Sequence, residues 1–279
     1  MKKTLWLSFL FALFFIACGD DSLTSANNSD NGKILYKFSS SSALYLSSVA
    51  LPTSSAVRTV DPIEVTVDSM TDSRDGQIYK TVKIGEQTWM AQNLNYETEN
   101  SYCYDDKNFN CVKYGRLYTW AAAMDSAGIW SANGKGCGND FICSPTFPVR
   151  GACPEGWHLP SDTEWKKLFT AVGGRLIAGK ALKSSSGWSS YFSGEPCNGS
   201  DALFFSALTA GSLDGDGAYI GEGYETFFWS SSQVVFCSTT KRESCYSNSA
   251  RNAFLYIDDG VYLLPFEKKG GISIRCLKD

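Results

Sequence analysis

The stretch Trp157-His158-Leu159-Pro160-Ser161-Asp162-Thr163-Glu164-Trp165-Lys166-Lys167-Leu168-Phe169 fixes where a helix starts and which side of it is buried. Ser161 and Glu164 stand three apart, the spacing at which a capping hydroxyl and a carboxylate satisfy each other's backbone N–H groups. Asp162 falls in the first turn, where the helix dipole favours negative charge. Trp165, Leu168 and Phe169 then recur at i, i+3 and i+4 as one apolar face, and Gly173-Gly174 stop the run.

Outward from this helix the texture is β. Residues 78–84 and 87–91 alternate apolar and polar positions around Gly85-Glu86, which reads as a hairpin. Further strands are expected over residues 202–208, 226–230, 253–257, 261–266 and 272–276, with Asp258-Asp259-Gly260 as a tight turn. A second helix is expected over residues 117–125, which are Ala-rich and amphipathic. Two helices and about eight short, mostly antiparallel strands make an α+β domain of about 210 residues, assigned to 69–279. Residues 18–68 are rich in Ser, Thr, Asn and Asp and read as a flexible stalk. As a coil of about 50 residues it would reach about 35–42 Å. The alternation in residues 63–67 is either a first strand or the end of that stalk.

The chain has 279 residues, with 25 Lys and Arg against 29 Asp and Glu, a net charge of −4. No basic block tracks a phosphate backbone, so nucleic acid is not an expected partner. The single histidine, His158, excludes two-histidine zinc helices and multi-histidine metal centres. Beside a helix cap it reads as a packed or capping side chain.

Lys2 and Lys3 precede an apolar run over residues 5–17, of secretory length and too short to span a bilayer. The run closes on Phe15-Ile16-Ala17-Cys18-Gly19, which resembles the lipobox of bacterial lipoproteins. Residues 1–17 are then a signal peptide, and Cys18 is the acylated first residue, tethering the protein to a membrane. The alternative is a soluble exported protein cleaved near Ala17. Asp20 and Asp21 resemble the acidic tag of lipoproteins sent to the outer face of the outer membrane, so an outer-membrane or cell-surface location is expected.

Cys18 apart, nine cysteines remain in an exported chain, where disulfides form. Spacing suggests Cys103 with Cys111, Cys137 with Cys143, Cys237 with Cys245, and Cys153 with Cys276, leaving Cys197 over. No Cys-x-x-Cys pair supports a metal site.

Several segments together resemble the Fibrobacter succinogenes major paralogous domain over residues 72–279. They are Asp72-Ser73-Arg74-Asp75-Gly76-Gln77-Ile78-Tyr79, Trp89-Met90-Ala91-Gln92-Asn93-Leu94-Asn95, Tyr114-Gly115-Arg116-Leu117-Tyr118-Thr119-Trp120, Cys153-Pro154-Glu155-Gly156-Trp157, Phe228-Trp229-Ser230-Ser231-Ser232 and Ile274-Arg275-Cys276-Leu277-Lys278-Asp279. The 157–165 segment, the late Trp-Ser-Ser and the Arg-Cys strand also resemble the formylglycine-generating group. That likeness implies a C-type-lectin-like fold stabilised by disulfides, and it carries fold better than chemistry.

Three kinds of site follow. Oxidase chemistry of the formylglycine-generating kind would use Cys237 and Cys245 with copper, although seven residues separate them and a loop disulfide is the rival reading. Asp214, Asp216 and Glu222, with Glu225 nearby, supply the oxygen ligands that calcium takes; the rival is a solvated turn. Trp130, Trp188, Tyr191, Phe192, Tyr219 and Tyr224 sit in Gly- and Ser-rich loops, where exposed rings could stack on sugars. Trp120, Trp157, Trp165 and Trp229 are expected in the core. The function expected is a lipid-anchored envelope protein with a non-catalytic domain that binds polysaccharide or another envelope protein. The alternatives are an oxidoreductase using the late cysteines and a purely structural envelope component.

Overall fold

Ser161 and Glu164 form both halves of the capping box: Ser161 Oγ accepts from Glu164 N–H at 3.4 Å, and Glu164 Oε2 accepts from Ser161 N–H at 2.7 Å. The computed structural model of the chain describes residues 25–26, 34–36, 63–237 and 245–279, the first two segments by backbone alone. In chain order the strands are β1 Ser25–Ala26, β2 Ile34–Tyr36, β3 Ile63–Thr71, β4 Ile78–Ile84, β5 Gln87–Met90, β6 Ser101–Tyr102, β7 Leu117–Thr119 and β8 Trp157–His158. They continue with β9 Ala210–Leu213, β10 Tyr219–Glu222, β11 Thr226–Cys237, β12 Cys245–Leu255, β13 Val261–Glu267, β14 Gly271–Ile272 and β15 Leu277–Lys278. The helices are α1 Asn108–Tyr114, α2 Trp120–Ala123, α3 Asp162–Ala171 and α4 Ala178–Leu182.

The fold class is α+β, with mostly antiparallel sheets. One sheet runs β1-β2-β3-β4-β5-β15-β8, and the other runs β13-β12-β11-β9-β14-β7-β6 with β10 paired to β9. β15 slots between β5 and β8, Leu277 lying opposite both Trp89 and His158. The apolar face of α3 packs where the sheets meet: Trp165 is 4.6 Å from Trp89 and 5.8 Å from Phe228, centroid to centroid. Trp120, Trp165 and Trp229 are buried as expected, and each indole N–H finds a backbone carbonyl, as a buried donor must. Trp157 is buried too. Between described residues four disulfides join Cys103 to Cys111, Cys137 to Cys143, Cys153 to Cys276 and Cys237 to Cys245.

Three fully buried cations are held by carbonyl dipoles instead of carboxylates, the simplest being Lys268, whose Nζ donates to Phe141 O at 2.9 Å. Arg275 lies against the rings of Phe205 and Phe228 and donates to Asn93 Oδ1 at 2.6 Å, to Ser206 O at 2.9 Å and to Phe205 O. Lys183 Nζ donates to the carbonyls of Cys197, Tyr256, Ile257 and Asp258 at 2.8–3.3 Å. Burial pulls Lys183 down to about 8, which leaves it cationic at neutral pH.

The structure corrects several expectations. Residues 117–125 split into β7 and the single turn α2, because Thr119 caps a helix in mid-run, its side chain accepting from Ala122 N–H. α1 and α4 raise the helices from two to four among the described residues. α1 lacks an apolar stripe, since Phe109 and Val112 face solvent, and α4 is only five residues long. Residues 202–208 are not a strand: Phe204 and Ser206 take positive φ, which breaks the extended run and presents carbonyls to Arg275. Residues 63–68, placed in the stalk, belong to β3, whose Ile63 and Val65 are buried and which pairs with β4 through Val65 opposite Ile84. Cys197, expected as the leftover thiol, is disulfide-bonded.

Candidate functional site

Strand alternation creates the surface. On β11, β12 and β13 the residues Phe228, Ala253, Leu255 and Val261 face the core, so Phe227, Phe254 and Tyr262 project from the other side. The register sets these three in one row: Phe227 stacks on Phe254 at 4.6 Å, and Phe254 lies 6.2 Å from Tyr262. The row continues past the strand ends. Tyr256 is 5.9 Å from Phe254, Tyr224 is 6.2 Å from Tyr256, Tyr191 is 5.1 Å from Tyr224 and Phe192 is 5.3 Å from Tyr191. At the opposite end Phe266 lies 5.3 Å from Phe227. Eight neighbouring rings thus form a ribbon, anchored at one end by Phe227 and Phe266 packed against the core, half-buried along most of its length and rising to 66 % exposure at Tyr191 and 82 % at Phe192.

Carboxylates edge this ribbon. Glu225 is half-buried beside Tyr224 and Tyr256, and no side-chain hydrogen bond or ion pair engages its carboxylate. Burial pushes its pKa up. The carboxylate lies over the Cα of Gly221, at φ +87°, where any side chain would displace it. Asp258 Oδ2 accepts from Tyr262 OH at 2.7 Å, and that bond, followed by burial, raises the phenol's pKa. Burial, then Glu225, raises Tyr224 and Tyr256, so both phenols stay neutral and keep a donor and an acceptor. From behind, Lys183 holds the carbonyls of residues 256–258 and so sets the position of Tyr256.

All of the ribbon and all four of these disulfides fall within residues 82–278, which match the Fibrobacter succinogenes major domain. The chain belongs to that family. No curated protein and no solved structure matches it. The match starts inside β4, leaving β3 outside it.

Within this Fibrobacter succinogenes major domain the aromatic residues singled out from the sequence part company. Tyr191, Phe192 and Tyr224 meet in the ribbon. Trp188 is core, not surface: it is buried, and its indole N–H donates to Ser184 Oγ and Ala207 O, both at 3.1 Å. Tyr219 is tied to another neighbourhood, donating to Asp106 Oδ1 at 2.6 Å and packing on Tyr104. Trp130 packs edge-on to Tyr96 near the Arg74 guanidinium.

The acidic residues do not converge on a calcium position. Asp214 Oδ1 accepts the N–H groups of Asp216 and Ala218 at the β9–β10 turn, and Asp216 pairs with Lys269 at 3.5 Å. Glu222 sits at the far end of β10, accepting from Tyr114 OH at 2.7 Å. Among the described residues no three His, Cys, Asp or Glu side chains are grouped to hold a metal ion.

Both nitrogens of His158 are occupied, Nδ1 by Asp279 at 2.7 Å and Nε2 by Glu164 at 3.0 Å. Burial alone would lower this histidine's pKa, but the two carboxylates outweigh it and raise the value. Cys237 and Cys245 are joined at the far end of the β11–β12 pair. Residues 1–17, expected as a signal peptide, and Cys18 lie outside the described residues, among which no helix is long and apolar enough to cross a membrane.

Reading the sequence missed Phe227, Phe254, Tyr256, Tyr262 and Phe266. The signal was present at the joined ends of β12 and β13, where buried Ala253, Leu255 and Val261 alternate with Phe254 and Tyr262.

Proposed function

We propose that the protein is an exported, lipid-anchored envelope protein whose family domain, of C-type-lectin-like kind, binds polysaccharide through the aromatic ribbon and catalyses no reaction. The observation that carries this reading is the ribbon itself: eight neighbouring rings, two of them largely exposed, edged by a carboxylate with no partner. A sugar offers a ring with an apolar face of C–H groups and a rim of hydroxyls. Flat side chains cover the first while Tyr hydroxyls and Glu225 answer the second. A polymer would cross several rings at once, so modest contacts add along its length.

Support for a non-catalytic domain comes from the groups that chemistry would need. Cys237 and Cys245 are oxidised to each other, and His158 has no open nitrogen. The export signal over residues 1–17 supports the exported location, and the lipobox-like closure on Cys18 supports an anchor where the Cys18 Sγ carries lipid and not a disulfide.

The test is a pull-down of the full chain on insoluble cellulose, hemicellulose and cell-wall fractions, with and without a calcium chelator. Saturable binding that survives chelation and falls about tenfold in Tyr224→Ala, without loss of the folded state, is expected. Retention by none of the fractions, or full affinity in Tyr224→Ala, overturns the reading.

A further inference from the structure

Carboxylates stand along the middle of the ribbon. The Glu225 carboxylate, over Gly221, acts on both Tyr224 and Tyr256, while Asp258 acts on Tyr256 and accepts from Tyr262 OH. Arg175 acts only at the Tyr262 end. Lys183 lies beneath the 256–258 turn with its ammonium taken up by four carbonyls, so it offers no donor to the surface. Asp258 is engaged, its two oxygens accepting from Tyr262 OH and Gly260 N–H. Glu225 is not. Among the described residues no cation or donor engages this half-buried carboxylate, which is left free to accept from a ligand, and its partial desolvation makes a second negative charge beside it costly.

Resting on the glycan-binding reading above, we infer that the ribbon takes uncharged glycans and that Glu225 selects them. Its carboxylate accepts hydroxyl hydrogens from a sugar stacked on Tyr224 or Tyr256, and it repels uronate and sulfate groups. Calcium has no part in this selection, since Glu225 is not grouped with other ligands.

Affinity electrophoresis of the detergent-solubilised full chain, in native gels containing hydroxyethyl cellulose, neutral xylan or polygalacturonate at one ionic strength, tests the inference. Wild type is expected to be retarded by a neutral polymer and not by polygalacturonate. Glu225→Gln should weaken neutral retardation by about tenfold in Kd, the loss of a charge-assisted bond. Glu225→Lys should shift the preference to polygalacturonate, and thermal melts of both variants would check that the fold is intact. Wild type held as firmly by polygalacturonate as by the neutral polymers overturns the inference. So does an unchanged preference in both Glu225 variants while Tyr224→Ala loses binding, an outcome that leaves the ribbon standing. Full affinity in Tyr224→Ala, or retardation by no polymer, removes the ribbon and the selectivity together.

Discussion

The β11–β12 pair carries a stacked aromatic pair at each end, and the two ends are held by opposite means. At the inner end Phe227 and Phe254 stack at 4.6 Å, close to a turn pinned by the buried Lys183 ammonium. At the outer end Phe236 and Tyr246 stack at 5.6 Å beside the Cys237–Cys245 bond, after two register irregularities. Inside the domain, carbonyl dipoles around a desolvated charge are strong enough to fix a loop. At the outer end, where Phe236 and Tyr246 are 40 % and 52 % exposed, there is no low-dielectric surround, and a covalent link does the work.

The largest effect that would break this comparison is expected from Lys183→Met. It leaves four buried carbonyls without a donor and should cost about 3–5 kcal/mol, a fall of about 6–20 °C in Tm, with weakened polysaccharide binding because Tyr256 loses its support. A melt unchanged within error would mean that the ammonium does not hold the inner end. Replacing Cys237 and Cys245 together by Ser should cost about 2–3 kcal/mol by the chain-entropy account of a loop closed eight residues apart. Polysaccharide binding should be untouched, so a loss of binding in the pull-down would place the outer end in the site.

The smallest effect sharpens the comparison with a fastener that titrates. His158 clamps Asp279 to the start of α3, and its pKa is raised above the ordinary value of about 6.5. Its stabilisation is therefore complete below pH of about 6.5 and is lost as pH rises through the raised value, by about 1 kcal/mol or less given the half-exposed Asp279. Thermal melts across that window should show the decline in wild type and not in His158→Gln. An equal slope in both would assign the pH dependence elsewhere.

Local rules made much of this readable. The capping box at Ser161, the turn at residues 258–260 and the closely spaced cysteines each depend on residues a few positions apart. The ribbon does not, because its rings come from residues 191–192, 224–227, 254–256, 262 and 266, and only sheet register places them side by side. Leu203, Phe205 and Ala207 misled for a related reason. All three are buried at every second position, as in a strand, yet the backbone between them turns through positive φ to feed carbonyls to Arg275, far away in sequence.

The place of β15 bears on the order in which the molecule can be made. The slot between β5 and β8 stays open until residues 277–278 have been synthesised, nearly the whole domain after β5. A chain arrested earlier would carry two unfilled strand edges, and Cys153 would lack its partner Cys276. Completion of the first sheet thus waits on β15, which is made after both of its neighbours.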